Sequence, residues 1–441
     1  MAQYYPDLLA TPVPRYTSYP TAAEFHDGVG CEEQHRGLRA VSSSEPVSLY
    51  FHIPYCREIC WYCGCNTGRA NRAQRLVSYL ASLHREIEKV GEILGGRGQV
   101  ERVALGGGSP NAISAVQFRA LVAAIKEAFP SAKHATWSIE IDPRGFEEDF
   151  AGAIEEAGFA RASLGVQTFD PVIQSKIGRV QPAEMIDRAI ALLRAAGVSS
   201  LNVDLMYGLP GQTRGHLLDS VTKSLDAGAD RMAVFGYAHV PELIARQRRI
   251  DATALPDAKE RFAQAEEARA LLIERGWSAV GFDHFARPGD PLERAAKSSR
   301  VRRNFQGFTD DPCDTLIGIG ASAISRFPNA LVQNEHNAGR YGMRIGSGQL
   351  AGARGIATPR AERRRAKMIE ELLANGSTDL GELAADLAFR DRIAPYLERE
   401  LAYQKGTRLE LAAEAAPYAR GIASLLDPWR ARSKRTFSSA V

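Results

Sequence analysis

Four of the six cysteines in this 441-residue chain lie close together in the sequence. Cys56, Cys60 and Cys63 follow the spacing C-x3-C-x2-C, and Cys65 stands two residues further on. Thiolates are the usual protein ligands of iron–sulfur clusters, and three of them on one loop can wrap one corner of a cubane cluster. Three ligands leave one iron without a protein donor. That iron can chelate the amino and carboxylate groups of S-adenosylmethionine (SAM), and the reduced cluster then cleaves a C–S bond to give a 5′-deoxyadenosyl radical.

A structural zinc site that uses all four cysteines is the alternative interpretation of the cluster. Such sites usually pair two C-x2-C knuckles that are well separated in the sequence, and this run is too crowded for that pattern. Tyr62, an aromatic residue just before the third cysteine, is typical of the iron–sulfur signature. We therefore expect Cys56, Cys60 and Cys63 to bind iron, and Cys65 to be a support residue rather than a ligand.

The elements that must position this loop are indicated by hydrophobic periodicity. Alternation over residues 47–53 predicts a strand immediately before the cysteines, and residues 73–94 have helical spacing. Further strands are predicted at 102–105, 137–141, 162–166, 201–205 and 232–237, with helices between them at about 114–129, 147–157, 184–196 and 215–226. Six strands that alternate with helices predict an α/β fold built from parallel βαβ units.

Glycines and polar residues recur where these predicted strands end, as at Gly106–Ser109, Glu140, Gln167 and Asp204. In a barrel of parallel strands such positions share the C-terminal mouth, where ligands bind. Glycines let the backbone approach a ligand closely, so the glycine run could bind the methionine moiety of SAM. Glu140 could anchor the SAM amine. A tight turn or an exposed carboxylate would explain any one of these positions alone.

The rest of the sequence predicts three regions. Residues 1–35 carry several prolines without a regular period and predict an extended N-terminal arm. Residues 36–350 form the predicted barrel. Residues 351–441 are rich in Ala, Glu, Leu and Arg and predict a mainly helical C-terminal domain.

Composition excludes several classes of protein. The net charge of +3 is too small to indicate binding to nucleic acid or to an anionic membrane. No stretch approaches the ~20 apolar residues of a membrane span, and the N-terminus has no secretory signal pattern. Cysteines that are clustered in a large chain rather than spread through a small one favour metal or redox chemistry in the cytoplasm.

Longer segments of the chain resemble one known family. They include Cys65 and the runs Pro14–Ala22, Tyr50–Cys56, Ser138–Arg144, Gly165–Asp170, Asp204–Thr213, Tyr237–His239, Asp283–Pro288, Arg303–Gly307 and Gly318–Ser325. Taken in order over about residues 12–340, they are similar to the oxygen-independent coproporphyrinogen III oxidase family of radical SAM enzymes.

This resemblance implies a partial, TIM-like (βα)6 barrel with a [4Fe–4S] cluster and two SAM molecules at its mouth. It implies catalytic roles for Tyr50 and Cys65. It implies contacts to the cluster-bound SAM from Tyr50, Gly107, Glu140 and Ile324. It implies contacts to the second SAM from Tyr62, Gly108, Ser109, Gln167, Arg179, Asp204 and Ala238. The family often has Thr at position 109 and Phe at position 62, so this chain keeps the hydroxyl in one case and the aromatic ring in the other.

The implied reaction is the oxidative decarboxylation of two propionates of coproporphyrinogen III, which gives the vinyl groups of protoporphyrinogen IX. A deoxyadenosyl radical would take hydrogen from the propionate β-carbon, and loss of CO2 and one electron would complete each vinyl group. The implied protein is a monomer served by an electron donor such as a flavodoxin or ferredoxin. The residues that could serve the substrate are Arg15, Tyr16 and Tyr19 on the arm, and His52, Asp283, His284 and Arg287 elsewhere.

Three other functions remain open at this point. The first is a haem-binding or haem-delivering relative that kept the barrel without the oxidase activity, which we would expect to lack Cys65 and the arm segment Pro14–Ala22. The second is a non-enzymatic, zinc-binding scaffold. The third is radical SAM chemistry on another tetrapyrrole.

Overall fold

The computed structural model of this protein describes residues 2–70 and 73–432. Its largest sheet has twelve strands. In chain order these are β1 Pro46–Ile53, β2 Gln99–Gly107, β3 Thr136–Ile141, β4 Phe159–Gln167, β5 Ser200–Tyr207, β6 Arg231–Gly236, β7 Ser278–Val280, β8 His284–Ala286, β9 Thr315–Ile319, β10 Ile324–Phe327, β11 Ala330–Asn334 and β12 Gly352–Ala357. Strands β1 to β6 coincide with the six that periodicity predicts, with small shifts at their ends.

The spatial order of the sheet is β12-β11-β10-β9-β1-β2-β3-β4-β5-β6-β8-β7. Strands β9 and β1 to β6 are parallel. The other strands are antiparallel and lie at the two edges, which do not pair with each other among the described residues. The predicted α/β fold with a partial, open barrel is therefore confirmed.

Fifteen helices accompany these strands in the described ranges, and several of them pack against the main sheet. They are α1 Pro6–Leu9, α2 Cys31–Ala40, α3 Ala73–Leu94, α4 Ala115–Ala128, α5 Glu148–Ala157, α6 Pro171–Lys176, α7 Ala183–Ala195, α8 Arg214–Asp226, α9 Ala258–Glu274, α10 Pro291–Lys297, α11 Ala338–Gly346, α12 Arg360–Asn375, α13 Leu387–Glu398, α14 Ala419–Ser424 and α15 Pro428–Arg432. None of them is both long enough and apolar enough to cross a membrane, as far as the described ranges extend.

Packing explains why these segments adopt their structure. Strand β1 is buried along nearly its whole length, as expected for a parallel strand with helices on one face and a barrel interior on the other. Helix α3 buries Leu83, Ile87 and Val90 on one stripe. Helix α4 begins at a capping box, in which the Ser114 side chain accepts from Gln117 N at 3.2 Å and the Gln117 side chain accepts from Ser114 N at 3.0 Å.

The C-terminal part combines helices with additional strands. Strand β12 belongs to the main sheet, where it pairs with β11. Beyond it, α12 to α15 accompany a three-stranded antiparallel sheet of Ser377–Asp379, Arg408–Leu411 and Ala402–Lys405. The N-terminal arm packs on these helices, and Tyr16 donates its hydroxyl to Asp427 at 3.1 Å. The division at residues 35 and 350 stays a prediction, and residues 433–441 of the predicted last domain lie outside the described ranges.

The barrel interior near the N-terminal ends of the strands holds an ionic cluster. Asp310 accepts from Arg161 at 2.7 and 2.8 Å and from Arg102 at 3.2 Å. Arg231 lies 3.5 Å from the same carboxylate. Burial alone would raise the pKa of Asp310, but the hydrogen bonds from Arg161 and the nearby guanidinium charges outweigh burial and hold this pKa well below its usual range. The cluster closes the face of the barrel opposite the mouth.

We expect Asp310→Asn to lower the free energy of unfolding by about 3–5 kcal/mol, because it leaves buried guanidinium groups without their counter-charge. The depressed pKa means that Asp310 stabilises the fold above its unfolded-state pKa of about 3.9, and this stabilisation is lost only as the pH falls further. Urea unfolding at pH 7 and at pH 3.5 measures both effects. The control is Asp314→Asn, which removes an 85% exposed carboxylate paired with Arg302 and should change stability by at most about 1 kcal/mol. Equal losses in the two variants would contradict this account.

Candidate active site

A cavity of about 460 Å³ opens at the C-terminal ends of the parallel strands. Its volume is typical of a small-molecule site. The residues from the sequence analysis that line it are Cys56, Cys60, Tyr62, Cys63, Cys65, Gly107, Gly108, Glu140, Gln167, Arg179, Asp204 and Ala238. The structure thus brings most of the predicted cluster and SAM residues to one place.

The cysteine loop leaves β1 and runs directly into this cavity. Cys60 is buried, Cys56 and Cys63 are half-buried, and Cys65 is exposed. The segment after α6 supports the loop. Trp61 N donates to Ile177 O at 3.0 Å, and the Trp61 ring packs against Gly178. A side chain at Gly178 would collide with that ring at 2.6 Å. The loop therefore rests on the segment that follows α6.

The protonation of the thiols differs along the loop. A hydrogen bond with Cys65 lowers the pKa of Cys63 to about 6, although burial opposes it. Burial raises the pKa of Cys56 to about 12, and the neighbouring thiol of Cys63 acts in the same direction. A thiolate is the form that binds metal, and metal binding drives the proton off a ligand. Of these two thiols, Cys63 is therefore the more readily ionised.

The thiols do not converge on a single point. In the described part of the chain, no group of three or more His, Cys, Asp or Glu is placed to hold one metal ion. A mononuclear zinc site needs its sulfur ligands within about 2.3 Å of one atom. A cubane cluster binds each thiolate to a different iron, and Cys56, Cys60 and Cys63 all line the one cavity.

Cys60 receives two charged hydrogen bonds. Arg179 donates to its sulfur from 3.1 Å and Arg144 donates from 3.2 Å. Asp142 pairs with both guanidinium groups, at 2.6 Å from Arg144 and 3.3 Å from Arg179. Although burial would raise the pKa of Asp142, the two arginines lower it, so this carboxylate stays ionised. The arrangement places positive charge where a cluster thiolate would develop negative charge.

The glycine run brings main chain close to the loop. Gly107 has a φ of 110°, a backbone conformation that residues other than glycine rarely adopt. A Cβ at Gly108 would lie 2.5 Å from Tyr55 O, so only glycine fits between the cysteine loop and the end of β2. Gly108 N donates to Ile53 O at 2.8 Å, which ties the run to the end of β1.

Two carboxyl groups line the cavity from β3 and β5, the strands on either side of β4. Glu140 accepts from Gly107 N at 3.0 Å, and its pKa rises to about 7 because it is buried. Asp204 accepts from Asn202 at 2.7 Å and from Ser163 at 3.0 Å, and burial raises its pKa as well. Buried carboxyl groups with raised pKa values are stabilised as carboxylates by a cationic ligand.

Gln167 and Arg179 also line the active-site cavity. Gln167 has a φ of 70°, and its Oε1 is buried with no hydrogen-bond partner among the described residues. Arg179 donates from Nε to Gly165 O at 2.9 Å, next to the bulge where β4 meets β5. An orphaned buried acceptor in a ligand-sized cavity indicates a missing donor. A bound SAM would supply such donors.

Three predicted SAM residues do not line this cavity. Tyr50 bonds to His52 Nδ1 at 3.0 Å and packs edge-on against Phe305. The hydroxyl of Ser109 is directed to Asn111 Oδ1 at 2.6 Å. Ile324 lies in a separate pocket beside the arm. The ligand roles of these residues stay predictions.

The other polar residues singled out in the sequence have mixed positions. Arg15 reaches the cavity and donates to Gly236 O at 2.6 Å. Asp283 and His284 pair with each other at 2.7 Å, whereas Arg287 is 55% exposed and pairs with Asp230. Burial lowers the pKa of His52 to about 4, so this imidazole stays neutral.

Sequence reasoning did not assign roles to Asp142 and Arg144. Both belong to the run Ser138–Arg144, and Asp142 stands where the signal of strand β3 ends. That signal places them at the mouth but does not show that Arg144 contacts Cys60, which is far away in the sequence. Such a contact follows from the parallel arrangement of the strands rather than from any local pattern.

A partial parallel barrel whose mouth carries three cysteines spaced C-x3-C-x2-C defines a radical SAM enzyme. The chain matches the Radical SAM superfamily over residues 50–223. Enzymes of this class use a [4Fe–4S] cluster and SAM, and the cysteine loop described above fits that cofactor.

Relatives define the family within this class. A protein from Bradyrhizobium diazoefficiens named oxygen-independent coproporphyrinogen III oxidase is 40% identical over 437 residues, which cover 97% of each chain. A protein of the same name from Escherichia coli is 36% identical and covers 87% of this chain and 84% of its own. The solved structure of coproporphyrinogen III oxidase from Escherichia coli, a radical SAM enzyme, matches with a TM-score of 0.89 at 33% identity, over 97% of this chain and 99% of that one. The chain belongs to the oxygen-independent coproporphyrinogen III oxidase family.

We expect Arg144→Gln to shift the reduction potential of the assembled cluster to more negative values. It removes a charged donor to Cys60, and hydrogen bonds to the sulfurs raise cluster potentials. A shift on the order of 60 mV corresponds to a tenfold change in a one-electron equilibrium. Redox titration followed by electron paramagnetic resonance measures this shift. Arg188→Gln, which removes a 56% exposed guanidinium on α7, is the matched control. An unchanged potential with full iron content would contradict a tuning role for Arg144.

Proposed function

We propose that this protein catalyses the oxidative decarboxylation of two propionates of coproporphyrinogen III to the vinyl groups of protoporphyrinogen IX, without oxygen. The observation that carries the proposal is the shared cavity, in which three cluster-spaced cysteines meet carboxylates and glycines from successive strand ends. Relatives that match almost the whole chain bear the name of this activity. A haem-handling relative without oxidase activity is not favoured, because these relatives are named as oxidases.

The cysteine loop holds the cofactor in this proposal. Cys56, Cys60 and Cys63 are the iron ligands, and Cys65 supports the site by its hydrogen bond to Cys63. When bound, the cluster and SAM supply the 5′-deoxyadenosyl radical that takes hydrogen from the substrate. The protein then has to bind and orient its ligands and to exclude groups that would quench a radical.

Residues around the loop would orient SAM. Glu140 accepts the amine, and Gly107 contributes main chain beside it; Tyr50 and Ile324 are the other residues proposed to contact this SAM. A second SAM is proposed to lie beside the first. The residues proposed to bind it are Tyr62, Gly108, Ser109, Gln167, Arg179, Asp204 and Ala238. The unpartnered Gln167 Oε1 supports a ligand at this position.

The remaining partners follow from the chemistry. We propose a cytoplasmic location, because free cysteines that must bind a cluster need a reducing compartment. We also propose that the protein is a monomer. The electron that starts each turnover would come from a small reduced carrier such as a flavodoxin or ferredoxin. Coproporphyrinogen III would enter the open mouth, which Arg15 approaches from the arm.

The proposed function is tested by anaerobic reconstitution of the cluster, followed by addition of SAM, a reductant and coproporphyrinogen III. We expect protoporphyrinogen and 5′-deoxyadenosine from the wild type. Cys60→Ala should bind less iron and sulfide and should lose product by at least 100-fold, because a cluster ligand is missing. Cys31→Ala, outside the loop, is the control and should behave as the wild type. Deoxyadenosine without a vinyl product would indicate a different substrate and would sink the proposal.

A pH dependence follows from Glu140. Because burial raises the pKa of this carboxyl to about 7, the carboxylate that would accept the SAM amine is lost as the pH falls through neutrality. We expect the Kd for SAM to rise roughly tenfold between pH 8 and pH 6 in the wild type. In Glu140→Gln the Kd should be high at both pH values, and any titration of SAM itself is common to both proteins. Glu148→Gln, at an exposed carboxylate on α5, should retain the wild-type profile. A wild-type profile in Glu140→Gln would exclude this role.

A further inference from the structure

A second, narrower cavity lies beside the first, between the end of β6, helix α9 and the C-terminal helices. Its volume is about 50 Å³. Four arginines line it, namely Arg15, Arg261, Arg269 and Arg420. We call it the arginine pocket. Of these four side chains, only Arg15 has a role in the proposed function, where it approaches the mouth of the barrel.

Positive charge exceeds negative charge in the arginine pocket. Its two acidic lining residues are Asp283 and Glu266. Asp283 already pairs with His284 at 2.7 Å, and Glu266 accepts from Ala2 N at 2.7 Å. Burial and the nearby charge of Arg15 together lower the pKa of Arg420 to about 10. The lining therefore carries four guanidinium groups and two carboxylates, one of which, Glu266, lies near Arg269.

Several guanidinium donors in this pocket are unused. Arg261 donates from Nη2 to Tyr237 O at 2.7 Å, but its Nε is buried without an acceptor among the described residues. The same holds for Nη1 of Arg269. Arg261 and Arg269 lie eight residues apart on α9, a spacing that places both on one face of the helix. Unpaired buried donors that converge on one pocket are costly, and an anionic ligand would satisfy them.

The arginine pocket adjoins the active-site cavity. Both are lined by Arg15, Phe235, Gly236 and Tyr237. A volume of about 50 Å³ admits a short side arm or a few waters but cannot hold a tetrapyrrole ring. A ring in the larger cavity could therefore extend one carboxylate arm into the smaller one.

We propose that the arginine pocket binds a propionate carboxylate of the tetrapyrrole while another propionate lies at the reaction centre. Guanidinium groups suit this ligand, because their planar donors match the geometry of a carboxylate. This inference rests on the proposed function, since it takes the substrate from there. It assigns to Arg261 and Arg269 a binding role that fixes how the ring is oriented in the cavity.

The test compares two porphyrins with the reconstituted, SAM-loaded protein. Coproporphyrin III is a stable, oxidised analogue with free carboxylates, and its tetramethyl ester has the same ring without them. Binding is followed by porphyrin fluorescence. We expect Arg269→Gln and Arg261→Gln each to weaken binding of the acid by about tenfold or more, the usual effect of losing a charged hydrogen bond. Binding of the ester should be weak and unchanged by either variant.

Two controls separate a binding role from a structural one. Arg275→Gln removes an exposed guanidinium at the end of the same helix and should leave both affinities unchanged. Arg269→Gln should not lower Tm, because it removes a charge that burial disfavours. Equal weakening of acid and ester, or unaltered acid binding in both variants, would overturn the proposal. If the wild type makes no vinyl product, the proposed function fails separately, while the acid-to-ester comparison still decides whether the pocket binds carboxylates.

Discussion

The parallel pairing of β1 to β6 is the constraint on which the rest of this structure depends. It brings the carboxyl ends of successive strands to one edge, so Gly107, Glu140 and Asp204 face a common cavity although they are far apart in the sequence. The same pairing brings the amino ends together. Arg161 and Arg231 therefore meet Asp310 at the opposite face of the barrel. Because residues two apart on a strand share a face, one interior surface carries a stabilising ionic cluster at one end and ligand-binding groups at the other.

Neighbouring side chains, rather than solvent, compensate the buried charges at the mouth of the barrel. Asp142 sits between Arg144 and Arg179, and both arginines also donate to Cys60. If Asp142 were absent, Arg179 would keep only Gly165 O and the Cys60 thiol as partners, and Arg144 only Cys60 and the exposed Glu58. The carboxylate therefore allows two cations to stand beside the sulfur. This explains how a loop with one buried and two half-buried cysteines can gain the negative charge of thiolates without a large desolvation penalty.

Much of this architecture could be predicted from the sequence, because periodicity records which face of an element is buried. The strand over 47–53 and the helix over 73–94 were found in this way, and cysteine spacing alone indicated the cluster chemistry. Hydrophobic periodicity does not indicate which distant residues contact each other. It gave no sign that Arg144 contacts Cys60, or that β12 leaves the C-terminal region to join the main sheet. These contacts depend on tertiary packing between segments that are distant in the sequence, and no local pattern encodes them.

The two neighbouring cavities differ in electrostatic character. The active-site cavity mixes carboxylates with guanidinium groups, whereas guanidinium groups outnumber carboxylates in the arginine pocket. Glu140 and Asp204 are buried carboxyl groups with raised pKa values, so a cation bound beside them stabilises their charged form. SAM carries a sulfonium and an amine. Arg261 and Arg269 are buried cations with lowered pKa values, so a bound anion stabilises their charged form. The two cavities share the wall of Arg15 and Gly236. A tetrapyrrole beside SAM in the larger cavity would therefore have a propionate within reach of the arginine pocket, where the unpaired donors of Arg261 and Arg269 lie.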